Sequence, residues 1–422
     1  MTLLNPNLKS LFTEALKKSW IILVFGSQLA QGTVALDVND VSYLWPPAVQ
    51  NSEIAALIPL NQVIPESTFQ EVMAFSQGQT LQNKTLPTPV HFPEEALGHI
   101  QNWYIAAMRI DPCAPGLAAY KGDSQKCLQE IRLVAQPFLV LNDLIDYHDY
   151  ALHILFELSA GDPKNSQSFA TVLNQLLQLK QQNKEAGVDT TGVPLKIHPG
   201  FTVPGFSKKL NGILLASLQT ARLKKITFTG AASADGPWAF FQGLIQNQHF
   251  VLESDPTLHN LPFGSISPEL PGNGGSISPS PDNINWPISD DGGHAPSAAN
   301  LFFKGTIDLK NPAILADASE SKVFKIEDLV NVFDNPQITN RTNTDCFSCH
   351  TSTSRAALLN LVNEPNQFKY QAPNDHTTLT PVLMNKSITS FRTFGWFGSR
   401  GVVSRRVINE SAEVANLIEK IY

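Results

Sequence analysis

The chain has few charged side chains and no cluster of basic ones. Charged residues make up 16% of its 422 residues, and acidic side chains outnumber basic ones, so the formal net charge is −7. Binding to nucleic acid depends on clustered lysine and arginine that displace counterions from the phosphates. The composition therefore argues against nucleic acid as a partner. The G-x-S-x-G and H-E-x-x-H patterns of two large hydrolase classes are also missing.

The N-terminal apolar run lacks the length to span a bilayer comfortably. It covers only residues 20–30; two lysines precede it, and the small-residue pattern Ala-Gln-Gly closes it. A positive flank, a short apolar core and a small-residue exit are the parts of a secretory signal. We therefore expect residues 1–32 to be a signal peptide cleaved near Gly32 or Ala35. The mature protein is then periplasmic or secreted, with no stable membrane span. A buried core helix is the alternative interpretation.

Cysteine is scarce, since the chain has only four. Cys113 and Cys127 flank a short loop between two strand-like segments, and an exported protein folds in a compartment where disulfides persist. We expect them to form a disulfide, which would stabilise the protein by roughly 3 kcal/mol in the chain-entropy model. Two free buried thiols are the alternative. Cys346 and Cys349 form a C-x-x-C pair, so no cysteine is left over.

Strand and helix patterns mix between residues 102 and 260. Three runs, NWYIAAMRID, EIRLVAQPFLVLN and YALHILFELS, have strand length and are rich in alternating, aromatic or β-branched apolar residues. Two further segments, DPKNSQSFATVLNQLLQLKQQNKEAG and FSKKLNGILLASLQTARLKK, have apolar residues at helical spacing. The strand-like run KITFTGA follows the second of them. We therefore predict an α+β domain over residues 33–262.

The composition changes abruptly at residue 263. Proline, glycine, serine, asparagine and aspartate dominate residues 263–299, which is typical of an interdomain linker or a long surface loop. The chain ends in RVINESAEVANLIEKIY, where apolar residues share one helical face and Asn409 or Ser411 is available as the N-cap. The predicted organisation is thus an α+β domain, a linker, and a small, mainly α domain over residues 300–422.

Cys346, Cys349 and His350 form the pattern C-x-x-C-H. Residues three and four apart share a helix face, so two thiols can each form a thioether with one haem vinyl group while the imidazole reaches the iron. This spacing is the c-type haem attachment signal. A structural zinc site usually needs a second Cys or His pair, and a thioredoxin-like disulfide would follow a strand, whereas a polar loop precedes this motif. The motif predicts one covalent haem.

The C-terminal quarter of the chain resembles a class I cytochrome c domain. Cys346, Cys349 and His350 match the attachment motif of that family, and NESAEVANLIEKIY is similar to its closing helix. Residues 33–262 are similar to uncharacterised exported bacterial proteins that carry such a motif near the C-terminus. The resemblance implies a cytochrome c-like haem domain after the linker. The aromatic and glycine positions that the family carries in the helix before the motif are not evident here.

The second axial ligand is open to three interpretations. Met384 lies 34 residues after His350, in the region from which the family takes its distal sulfur, and is our preferred ligand beside His350. His376 in the same region is a second candidate, and an open iron is a third. Other histidines, including His153, His198 and His249, are interpreted as surface or hydrogen-bonded residues.

Three functions are compatible with these features. An iron with both axial positions filled transfers electrons only, and the acidic surface then favours a redox partner protein with a basic docking face. An open iron would make the chain a haem enzyme, such as a peroxidase. Without haem, the chain would be an exported binding or structural protein with the disulfides Cys113–Cys127 and Cys346–Cys349. The sequence favours electron transfer over catalysis because no distal His-Arg arrangement is recognisable.

Overall fold

The structure, a computed structural model, describes most of the N-terminal half of the chain and parts of its C-terminal region. The described residues are 36–86, 89–114, 128–158, 169–231, 238–253, 331–339, 350, 352, 370–371 and 392–421, with the backbone of 263–266. The chain divides into a short unit, Met1–Leu36, and a compact unit, Asp37–Tyr422. Within these described ranges, no helix has the length and apolar character needed to cross a membrane.

The compact unit combines one large sheet with short helices. The helices are α1 (Val38–Val41), α2 (Glu66–Ser76), α3 (Phe169–Glu185), α4 (Phe206–Leu218) and α5 (Arg405–Ile421). The strands are β1 (Ser42–Leu44), β2 (Trp103–Ala114), β3 (Leu128–Leu141), β4 (Leu144–Tyr147), β5 (Tyr150–Glu157), β6 (Arg222–Ala231), β7 (Trp238–Gln246), β8 (His249–Leu252), β9 (Phe263–Ile266), β10 (Phe394–Phe397) and β11 (Arg400–Val403). Short 3₁₀ helices cover Asn51–Ala56, Leu60–Gln62, Glu95–Gly98, Ile100–Asn102 and Pro199–Thr202.

The large sheet has nine described strands, all paired antiparallel. Its order is β1-β2-β3-β5-β6-β7-β8, with β4 paired to β3 and β9 paired to β7. Strands β10 and β11 form a separate hairpin. The strand-like runs predicted from the sequence are confirmed as β2, β3, β5 and β6, and the two helical segments as α3 and α4.

One face of the sheet is apolar and forms the main core. Leu133, Ile154 and Ile226 lie opposite one another on β3, β5 and β6, and all three are buried. Residues in register on neighbouring strands share a face, so each strand contributes every second side chain to this core. Helix α2 covers the same face, because its Phe75 ring packs edge-on against Phe241 of β7 at 5.0 Å between centroids.

The opposite face is polar. We call it the polar face and define it by Arg109, Asp111, Glu130, Arg132, Gln136, His153, Thr227, Thr229 and Gln242. An antiparallel sheet commonly leaves such a face in water, but most of these side chains are buried. The C-terminal elements cover them, since Glu410 of α5 pairs with Arg109 and Trp396 of β10 hydrogen-bonds to Gln136.

The fold class predicted from the sequence is therefore wrong. In place of a small, mainly α cytochrome c-like domain, the described C-terminal residues form the β10–β11 hairpin and helix α5, both packed on the large sheet. An apolar stripe at helical spacing is the same whether the helix packs on other helices or on a sheet, so the pattern of α5 could not separate the two folds.

The structure bears on two further predictions about the C-terminal region, the linker and the start of the last helix. The predicted linker, 263–299, lies outside the described residues beyond Ile266, and Phe263–Ile266 is a strand paired to β7. Helix α5 begins at Arg405, so Asn409 and Ser411 are not its N-cap. The hydroxyl oxygen of Ser404 accepts a hydrogen bond from the backbone N–H of Val407 at 3.2 Å and caps the helix instead.

Candidate functional site

The structure describes only some of the site residues predicted from the sequence. His350 and Cys113 belong to the described residues, whereas Cys127, Cys346, Cys349, His376 and Met384 lie outside them. Cys113 is disulfide-bonded, which agrees with an oxidised pair at the end of β2. The pairing with Cys127 stays a prediction.

His350 is directed at the polar face of the sheet. Its imidazole ring lies 5.5 Å from that of His153 between centroids, with 26° between the ring planes. The ring of Phe240 meets the same imidazole edge-on at 5.4 Å and 74°. The residue next to the second motif cysteine is therefore partly buried against β5 and β7. His153 was interpreted from the sequence as a surface or hydrogen-bonded residue, and this contact was not predicted.

Strand register brings the partners of His350 together. His153 on β5 lies opposite Thr227 on β6, and Phe240 on β7 lies opposite Thr229 on β6. The rings of His153 and Phe240 therefore project from the same face of the sheet, on two strands that are separated by β6. The buried hydroxyl of Thr229 has no hydrogen-bond partner within the described part of the chain.

The imidazole of His153 is held neutral. Burial of the ring is the main cause that lowers its pKa well below the ordinary range, and the neighbouring His350 acts in the same direction. The guanidinium groups of Arg392 and Arg132 also disfavour a further positive charge. A neutral imidazole keeps a nitrogen lone pair, which is the form that binds a metal.

Arg392 is fixed beside this group by a carboxylate. Its Nε and Nη2 atoms both donate to Oδ1 of Asp149, at 3.0 and 2.7 Å, and its side chain is 1% exposed. Arg392 is therefore a member of a buried ion pair, and the Asp149 carboxylate offsets its charge.

A small charged cleft lies on the same face beside Cys113. Its lining includes Arg109, Arg132, Arg406, Asp111, Glu410 and Glu413. Glu410 pairs with both Arg109 and Arg406. Burial alone would raise the pKa of this carboxyl, but the two guanidinium groups outweigh burial and hold the pKa well below its usual range. The charges compensate one another, which marks the cleft as a structural ion-pair network.

The residues present fit a c-type haem. The motif offers two thiols and the His350 imidazole, a second neutral imidazole faces it, and the ring of Phe240 supplies an apolar wall. Among the described residues, no group of three or more His, Cys, Asp or Glu side chains could hold a metal ion. Cys346 and Cys349 are not among these residues.

Comparison with protein-family models, with curated proteins and with solved structures finds no match to this chain. Its function is therefore inferred from its own residues, above all from the attachment motif and the part of the sheet that His350 contacts.

Proposed function

We propose that the chain carries one c-type haem, attached through Cys346 and Cys349 with His350 as an iron ligand, and that it transfers electrons through this group. The observation that supports the proposal is the contact of His350 with His153 and Phe240. Here the histidine of the motif is packed against a second imidazole.

The protein residues have distinct tasks in this proposal. A bound haem supplies a one-electron couple, and the two motif cysteines fix it to the chain. His350 would ligate the iron. Phe240 would shield the His350 ring from water.

Export and an oxidised disulfide belong to the same proposal. Cys113 is disulfide-bonded, and disulfides persist in the periplasm and outside the cell. The proposed location is therefore periplasmic or secreted, after removal of residues 1–32. Because the chain has a net charge of −7, its redox partner protein should have a basic docking face.

Maturation of the full chain with a c-type haem attachment system tests the proposal. We expect intact-mass spectrometry to show one covalently added haem, and the pyridine haemochrome spectrum to be that of a haem bound by two thioethers. The double variant Cys346→Ala, Cys349→Ala should add no haem. The matched control Cys113→Ala, Cys127→Ala also removes two cysteines and should keep the haem. A wild-type chain without covalent haem would contradict the proposed function.

A further inference from the structure

We infer that His153 is the second protein ligand of the iron, so that two imidazoles, from His350 and from strand β5, hold the metal. This inference rests on the proposed haem. It replaces Met384, the preferred ligand from the sequence, with a residue about two hundred positions upstream of the attachment motif. Its basis is the ring contact between His153 and His350 on the polar face.

The distance between the two rings suits a shared metal. Metal–nitrogen bonds are about 2 Å long, so two imidazoles on opposite sides of one ion lie about 6 Å apart between ring centroids. The observed centroid distance is 5.5 Å. This distance is within about 1 Å of the separation at which one ion could bind both imidazoles.

Strand β5 holds His153 firmly in this position. It lies in the interior of the sheet, where His153 is opposite Val134 of β3 and Thr227 of β6. Backbone pairing on both sides fixes the direction of the side chain. The imidazole is therefore presented by a rigid element, which is the usual requirement for a well-defined metal site.

The choice of ligand has functional consequences. Two imidazoles give the iron a lower reduction potential than one imidazole and one thioether sulfur, because a methionine ligand raises the potential. With both axial positions filled, neither carbon monoxide nor a peroxide finds a free site on the metal. A protein of this kind transfers electrons and does not act as a peroxidase.

Carbon monoxide binding to the reduced, matured chain tests the inference. We expect the wild type, Met384→Ala and His249→Ala not to bind it, whereas His153→Ala binds it readily. His249 is the matched control, because it is an exposed histidine of the same sheet that pairs with Glu71. His153→Met should restore a six-coordinate iron and raise its potential above that of the wild type. Haem content of each variant is measured first by mass spectrometry.

The wild type alone provides a second measurement if His153→Ala fails to fold. Near-infrared magnetic circular dichroism distinguishes an iron with two nitrogen ligands from one with nitrogen and sulfur, and we expect the former. A haem-loaded wild type with sulfur ligation, or carbon monoxide binding that opens in Met384→Ala and stays closed in His153→Ala, would overturn the inference alone. A wild type that carries no haem would overturn the proposed function as well.

Discussion

His198 is a buried histidine whose surroundings keep it uncharged. Its ring stacks between Tyr43, at 4.9 Å, and Phe206, at 4.8 Å, and its Nδ1 accepts a hydrogen bond from the backbone N–H of Gly200 at 3.0 Å. Burial lowers the pKa of His198 from 6.5 to about 3. The same effect acts on His153, so two histidines resist protonation as long as the protein is folded.

This shift makes the stability of the protein dependent on pH. Between pH 6.5 and about 3, the unfolded chain binds a proton at His198 that the folded protein does not bind, so stability falls as the pH falls. The slope is about 1.4 kcal/mol per pH unit for this group. We expect the stability advantage of wild type over His198→Phe, measured by urea unfolding, to shrink by about 2 kcal/mol between pH 7 and pH 5.

The exposed histidine His249 provides the control for this measurement. The variant His249→Gln should keep the pH dependence of the wild type. If His198→Phe loses stability with falling pH as steeply as the wild type does, then His198 is not the buried neutral group described here.

At the level of single residues, the sequence offers one local prediction, the haem attachment motif. Cys346, Cys349 and His350 lie within five positions, and their spacing alone predicts haem attachment. His153 has no such local signal, because its partner His350 is brought to it only by the packing of the C-terminal region on β5. The alternation of apolar residues along β5 puts His153 on the face opposite the apolar one, and that position usually indicates a solvated residue.

Gln136 joins the hairpin β10–β11 to the large sheet through two hydrogen bonds. Oε1 of Gln136 accepts a hydrogen bond from the backbone N–H of Trp396 at 2.6 Å, and its Nε2 donates to the carbonyl oxygen of Trp396 at 2.8 Å. The neighbouring Gly395 has a φ of +132°, and a Cβ there would lie 2.1 Å from Oε1 of Gln136. Only glycine permits this close approach of backbone and side chain.

We therefore expect Gly395→Ala to destabilise the protein by more than about 3 kcal/mol, because it adds backbone strain and breaks both Gln136 hydrogen bonds. Gly398→Ala is the matched control. That residue also has a left-handed φ, +56°, but a Cβ there meets no atom within 4 Å. Its substitution should cost about 1 kcal/mol. Equal losses for the two variants in chemical unfolding would contradict the close approach.

Some of the separate elements could be predicted from the sequence, and their assembly could not. Alternation predicted β2 and β5, and helical spacing predicted α3 and α4. The start of α5 was misplaced because Asn409 and Ser411, both good capping residues, use their side chains for contacts elsewhere. Asn409 donates to the carbonyl oxygen of Asp334, and Ser411 hydrogen-bonds to Ser42 on β1.

Across the whole molecule, helix α5 and the sheet share buried charges. Arg109 of β2 and Glu410 of α5 are 301 positions apart in the chain, and Glu410 also accepts from Nε of Arg406 at 2.8 Å. Removal of one member of a buried ion pair leaves its partners uncompensated. Strand β2 and helix α5 should therefore unfold together.

We expect Glu410→Gln to lower the stability of the entire compact unit by about 3 kcal/mol in one cooperative transition. The control Lys184→Gln removes an ion pair with Asp189 in which both side chains are about half exposed, and it should change stability by less than about 1 kcal/mol. Tryptophan fluorescence and far-ultraviolet circular dichroism should give the same midpoint. Two separated transitions, with the sheet unaffected, would show that α5 is not part of its core.

In our proposal, His350 of the attachment motif and His153 of the sheet bind one haem iron. X-ray absorption at the iron edge of the matured, purified full-length chain tests it most directly, because the scattering from sulfur and nitrogen ligands differs in both distance and amplitude. We expect an iron surrounded by nitrogen ligands alone, with six ligands in total. A sulfur ligand, an empty axial position or a protein without iron would contradict it.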